Sequence, residues 1–136
     1  MNTPAIFRSV CLAALALAGT LAVPAFGQGA LSMLGALDRG NWEVRYRDGS
    51  AARNICVRTG REFIQLRHAG SQCNRYVVED GKQQVTVQYT CRGNGYGRTN
   101  VRRESGSLVQ IDSQGIADGR PFQFSAEARR TGACRR

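Results

Sequence analysis

The residues with the widest chemical options in this chain are four cysteines, Cys56, Cys73, Cys91 and Cys134, with a fifth, Cys11, near the N-terminus. Thiolates at such positions could ligate zinc, attack a substrate or close disulfides. Structural zinc sites draw cysteines in close pairs, whereas the intervals here are 17, 18 and 43 residues. The spacing therefore argues against a metal, and no cofactor is expected. An even cysteine count behind an export signal reads as a disulfide scaffold.

With the thiols assigned to crosslinks, His68 is the only remaining imidazole. It follows Gln65-Leu66-Arg67 where a helix is expected to end, so it suits a helix dipole or a terminal carbonyl better than general-base work. Glu43, Glu62, Asp80 and Asp112 have no spacing that singles out a catalytic pair, and no enzyme activity is expected. Gly93, Gly95 and Gly97 superficially match a phosphate-cradling loop, but no Gly-Lys-Ser/Thr follows and the stretch joins two expected strands. Arg92, Tyr96, Arg98, Arg102 and Arg103 form a candidate anion-binding patch with one aromatic.

The elements that position these groups begin after residue 27. Met1–Arg8 carry one positive charge, Val10–Val23 form an apolar run, and small residues at 23, 25 and 27 suit a signal peptidase. Residues 1–27 are read as a cleavable signal peptide, with Cys11 inside it, and 28–136 as one domain. The run falls short of the roughly 20 apolar residues that span a bilayer, so no transmembrane anchor is expected after cleavage. Cleavage removes Arg8 and no acid, which takes the net charge from +9 to +8. Lys82 is the only lysine, and arginine forks suit phosphate and carboxylate. The arginines are nevertheless dispersed along the chain, as a solvated surface would have them.

Leu31, Leu34 and Leu37 predict a short N-terminal helix. Trp42, Val44 and Tyr46 alternate with charged residues and predict a strand, and Ile55–Val57 a second. Thr59 with Glu62 forms a capping-box pattern that predicts a helix of about two turns ending at Gly70. Tyr76 and Val78, then Val85, Val87, Tyr89 and Cys91, flank Asp80-Gly81-Lys82 as a hairpin. Strands around 99–103, 108–113 and 122–128 follow, divided by Gly93–Gly97, Ser105-Gly106 and Asp118-Gly119. The fold class is mainly β, an antiparallel meander that curls toward a half-barrel, with one or two short helices and two disulfides.

Four cysteines allow three connectivities. A two-residue turn at Gly81-Lys82 would set Cys73 opposite position 90, and a bulge or looser turn would bring it opposite Cys91. Cys56 then pairs with Cys134.

The signal peptide, Gly40-Asn41-Trp42-Glu43, Cys56-Val57 before a short helix, Cys73, Cys91 and the terminal Arg129-Arg130-Thr131-Gly132-Ala133-Cys134 together resemble the domain of unknown function 3617 family of proteobacterial exported proteins. The likeness runs from Gly40 to Cys134. Where that family has Cys-Val-Thr, then proline and an acid, this chain has Cys56-Val57-Arg58-Thr59-Gly60. The resemblance implies a periplasmic or envelope location and a small, mostly β domain, and it brings no activity.

These readings converge on a periplasmic or secreted protein, a noncatalytic binding or structural module of the cell envelope. Its partner would be an anionic or lipidic envelope component, with a lipid or small ligand on a concave apolar face of the sheet as one version. A polyanion-binding module for anionic lipid, glycan or single-stranded nucleic acid is the alternative, nucleic acid being disfavoured for an exported protein. An unrecognised small enzyme is the third reading.

Overall fold

Alternation of apolar and polar residues dominates the chain after residue 40, and the resulting architecture is a single antiparallel sheet. The structure is a computed structural model and describes residues 29–135; the expected signal segment lies outside them. A short helix α1 (Ser32–Gly35) is followed by β1 (Gly40–Tyr46), β2 (Arg53–Val57), two 3-10 turns (Arg61–Phe63 and Leu66–His68), β3 (Cys73–Asp80), β4 (Gln84–Cys91), β5 (Gly95–Ser105), β6 (Leu108–Ala117) and β7 (Arg120–Gly132). The sheet order is β2-β1-β7-β6-β5-β4-β3. The meander thus runs from β3 to β7, and the β1–β2 hairpin docks on β7.

Seven flat strands would span about 29 Å at the usual interstrand spacing. Inward side chains from both halves nevertheless join one core cluster, including Trp42, Val44, Val57, Val87, Val101 and Ile111, with Val77 of β3 packed against it. The sheet therefore curls around its own inner face, leaving β2 and β3 as its two free edges. Leu31, Leu34 and Leu37 cover part of that face, and Phe63, Ile64 and Leu66 plug the rest. Each such side chain contributes about 1.5–3 kcal/mol when fully buried. Trp42 sits edge-on to Phe63 at 5.2 Å and donates its indole N–H to the Asp38 carbonyl at 2.9 Å. The concave face is thus filled by the protein's own side chains, so the expectation of a ligand on it gives way to packing.

Both disulfides are those expected, Cys73–Cys91 and Cys56–Cys134. The hairpin reaches the first through two compensating irregularities. Asp80 pairs with Val85, so the turn is two residues longer than Gly81-Lys82 alone, and a bulge at Val78 takes one residue back. The bulge also sets the phase of β3: Cys73, Arg75 and Val77 take the inward positions, while Tyr76 and Val78 are 70% and 41% exposed.

The expected two-turn helix is instead two 3-10 turns. Half of the capping box forms: Glu62 accepts the Thr59 N–H at 3.1 Å and the Thr59 hydroxyl at 3.2 Å, but Thr59 Oγ1 accepts the backbone N–H of Arg61 instead of that of Glu62. Gln65 then leaves helical backbone (φ −126°, ψ 50°), and its side-chain amide donates to the carbonyls of His68 and Ser71. Phe63 through Leu66 are all buried, which a one-faced surface helix would not allow.

Candidate functional site: a polar groove on the outer sheet face

The expected reactive groups are engaged in structure. All four cysteines of the described domain are oxidised. His68 is 1% exposed, and its Nε2 lies 2.6 Å from the Asn94 carbonyl while Nδ1 lies 2.9 Å from the Tyr89 hydroxyl. A carbonyl only accepts, so Nε2 carries the proton, and in the neutral ring Nδ1 accepts from Tyr89. The histidine thus secures the β4–β5 turn, and the expected helix-terminal role is corrected accordingly. Burial pushes the Tyr89 hydroxyl up to about 12, which keeps it a donor.

The glycine stretch is likewise structural. Only Arg92–Asn94 form a turn, and Gly95–Gly97 already belong to β5. A Cβ on Gly97 would lie 2.4 Å from the Tyr89 ring and hydroxyl, so the missing side chain makes room for the Tyr89–His68 pair.

The candidate anion patch divides. Tyr96, Arg98 and Arg102 occupy outward positions on β5, Arg98 one step from Tyr96 and Arg102 two steps further on, beyond Asn100. Arg102 is paired with Glu104 at 2.9 Å. Arg103 is on the inward register, its backbone N–H bonded to the Gln83 carbonyl. Arg92 lies in the β4–β5 turn. Tyr96 and Arg98 share a cavity.

That cavity was not visible from any one strand. Across four registers, Tyr76 pairs with Gln88, Gln88 with Arg98, Arg98 with Gln114, and Gln114 with Gln123. The result is one outward row of polar side chains crossing β3 to β7. The neighbouring row is Thr90, Tyr96, Ile116 and Pro121. Between them lies the line Gly97, Gly115 and Phe122, whose outward surface is backbone. The two rows wall a groove of about 550 Å³ that includes Gln88, Tyr96, Arg98, Gln114, Pro121 and Gln123. A smaller groove of about 240 Å³ lies on the other side of Arg98, Gln114 and Gln123.

Among the described residues, Gln88, Arg98, Gln114 and Gln123 make no side-chain hydrogen bond to the protein. Each amide offers a carbonyl acceptor beside an NH2 donor, and the guanidinium offers a donor fork. Tyr96, half exposed, and Pro121 add flat apolar surface at the groove's rim. Together they can hold a ligand that presents adjacent hydroxyls on one side and C–H surface on another.

Among the described residues there is no group of three or more His, Cys, Asp or Glu arranged to hold a metal ion. None of their helices is long and apolar enough to cross a membrane. No protein-family model, curated protein or solved structure matches the chain.

Proposed function

We propose that the protein is an exported, noncatalytic binding module of the periplasm or cell envelope, and that its outer groove takes a glycan carrying acidic groups. The observation that carries this reading is the row Gln88–Arg98–Gln114–Gln123, four polar side chains aligned by register with their hydrogen-bonding capacity unused within the protein. Neighbouring sugar hydroxyls each donate and accept, as a carboxamide does, and Arg98 matches a uronate carboxylate. Tyr96 supplies a face for the ring's C–H groups. The two disulfides and the resemblance to the domain of unknown function 3617 family support export. The engagement of His68 and the cysteines in the scaffold supports a noncatalytic role.

Isothermal titration with a galacturonate hexamer, beside a neutral galactose oligomer of equal length, tests the reading. The acidic oligomer should bind, the neutral one more weakly, and Arg98→Ala should lose at least ten-fold in affinity with the thermal midpoint unchanged. Binding of single-stranded DNA or anionic vesicles with a steep salt dependence, and of neither sugar, would replace it with the general polyanion reading.

A further inference from the structure

A second site, unrelated to the outer groove, lies where the sheet fails to close. The free edges β2 and β3 are bridged by the two 3-10 turns, and a cleft of about 420 Å³ lies over that bridge. Arg53 of β2 is register partner to Val44, and Arg75 of β3 to Tyr89. Both partners are buried core residues, so both arginines hold inward positions, one on each edge. Arg61, from the bridge itself, is the third cation lining the cleft.

Each guanidinium is held by a single acceptor that leaves most of its donors unused. Arg53 Nη1 donates to the Leu66 carbonyl at 3.1 Å, Arg61 Nη2 to the Ala30 carbonyl at 3.2 Å, and Arg75 Nη2 to Gln65 Oε1 at 2.9 Å. Gln65 is itself fixed, its NH2 donating to two carbonyls so that its oxygen must face Arg75. The one carboxylate lining the cleft, Glu62, accepts the backbone N–H groups of Arg58 and Thr59. It forms no ion pair with any of the three arginines, and none of them has an acidic partner among the described residues. Burial and the charge of Arg61 both push the Arg75 guanidinium down from its ordinary value, with Glu62 opposing. The floor is apolar, formed by half-buried Ile55 and buried Leu66, with exposed Ala69 adding to the apolar lining.

An inward charge on an edge strand also discourages edge-to-edge pairing, but that role needs neither three converging cations nor a buried glutamine aimed at one of them. Like charges held together with unused donors over an apolar floor are complementary to an anion on a hydrocarbon body. We propose that this edge cleft binds one phosphate or carboxylate group attached to a short apolar chain, with Arg53, Arg61 and Arg75 holding the anion and Gln65 positioning Arg75.

The test is a titration of the full exported protein with hexyl phosphate, inorganic phosphate and hexanol, followed by NMR of the arginine Nε–H and Gln65 amide signals. Hexyl phosphate should shift these signals, inorganic phosphate should bind at least ten-fold more weakly, and hexanol should leave them in place. Arg61→Gln and Arg75→Gln should each weaken hexyl phosphate binding at least ten-fold. Ala69→Phe, which crowds the apolar lining and removes no charge, should do the same. Arg98→Ala should leave this binding unchanged, which separates the cleft from the outer groove. Sedimentation with phosphatidylglycerol vesicles distinguishes the sources: loss of vesicle binding in Arg61→Gln assigns a lipid headgroup, and hexyl phosphate binding without vesicle binding assigns a soluble ligand. Equal affinity for inorganic and hexyl phosphate would overturn the apolar half of the proposal. Unshifted arginine and Gln65 signals, or variants that change only aggregation, would overturn all of it.

Discussion

Two neighbouring rows on the outer face of the sheet have the same backbone geometry and opposite chemistry. In the row Glu79, Thr86, Asn100, Asp112 and Ser125, every side chain is bonded to a neighbour: Thr86 to Glu79, Asn100 to Thr86, and Ser125 to Asp112. One register step away, Gln88, Arg98, Gln114 and Gln123 leave their donors and acceptors to solvent. Polar composition on a sheet therefore does not mark a binding surface. What distinguishes the proposed site is polar side chains that the fold aligns and then does not use.

The largest expected effect comes from cutting the restraint that holds β3 in phase with the unused row. Cys73→Ser with Cys91→Ser should lower stability by about 3 kcal/mol on the chain-entropy estimate for this loop. It should also let Tyr76 leave the row. Denaturant unfolding and hydrogen exchange along β3 would read both, and unchanged β3 protection would show that the bulge alone sets the phase. Gly97→Ala comes next, because the new methyl overlaps the Tyr89 ring beneath the groove floor; overpacking of this kind costs about 1–3 kcal/mol. The sharpest comparison sets Asp112→Ala against Arg98→Ala. The first should cost about 1 kcal/mol or less by breaking a neighbour bond and leave glycan affinity intact, whereas the second should do the reverse. Equal effects on binding would dissolve the distinction between the rows.

The smallest effect is one of pH. In a third outward row, hydrogen bonds from Gln110 and Arg129 hold the Glu127 carboxyl below its ordinary value of 4.5, with burial slightly opposing. A carboxyl depressed in the folded state adds stability above its unfolded value and loses it as pH falls through the folded one. Acid unfolding below about pH 4.5 should therefore be slightly less steep in Glu127→Gln than in the parent, measured by circular dichroism.

Much of the fold was legible in the sequence because its signals are local. Trp42-Val44-Tyr46 and Val85-Val87-Tyr89-Cys91 alternate cleanly and form β1 and β4 as read. The disulfide pairing followed from hairpin arithmetic that called for a bulge or a looser turn, and the structure uses both, the bulge at Val78. Glycine misled at 95–97, where it marks a close approach inside a strand and not a loop. The helix expected after Thr59 failed because Gln65 finds better partners in the His68 and Ser71 carbonyls than in a continuous turn. The outer groove was legible only in Tyr96 and Arg98. Gln88, Gln114 and Gln123 join them through registers that no single segment encodes. Arg53, Arg61 and Arg75 converge only because the sheet curls until its edges face the same bridge.

The crosslinks are nested, with the 73–91 bond enclosed within the span of 56–134. A chain oxidised in order of synthesis would offer Cys56 and Cys73 to each other while Cys134 is still absent. Reaching the native pairs from that species requires thiol exchange. In an oxidising compartment, a host strain lacking a disulfide isomerase should therefore hold more of any 56–73 species than its parent, read by non-reducing peptide mapping.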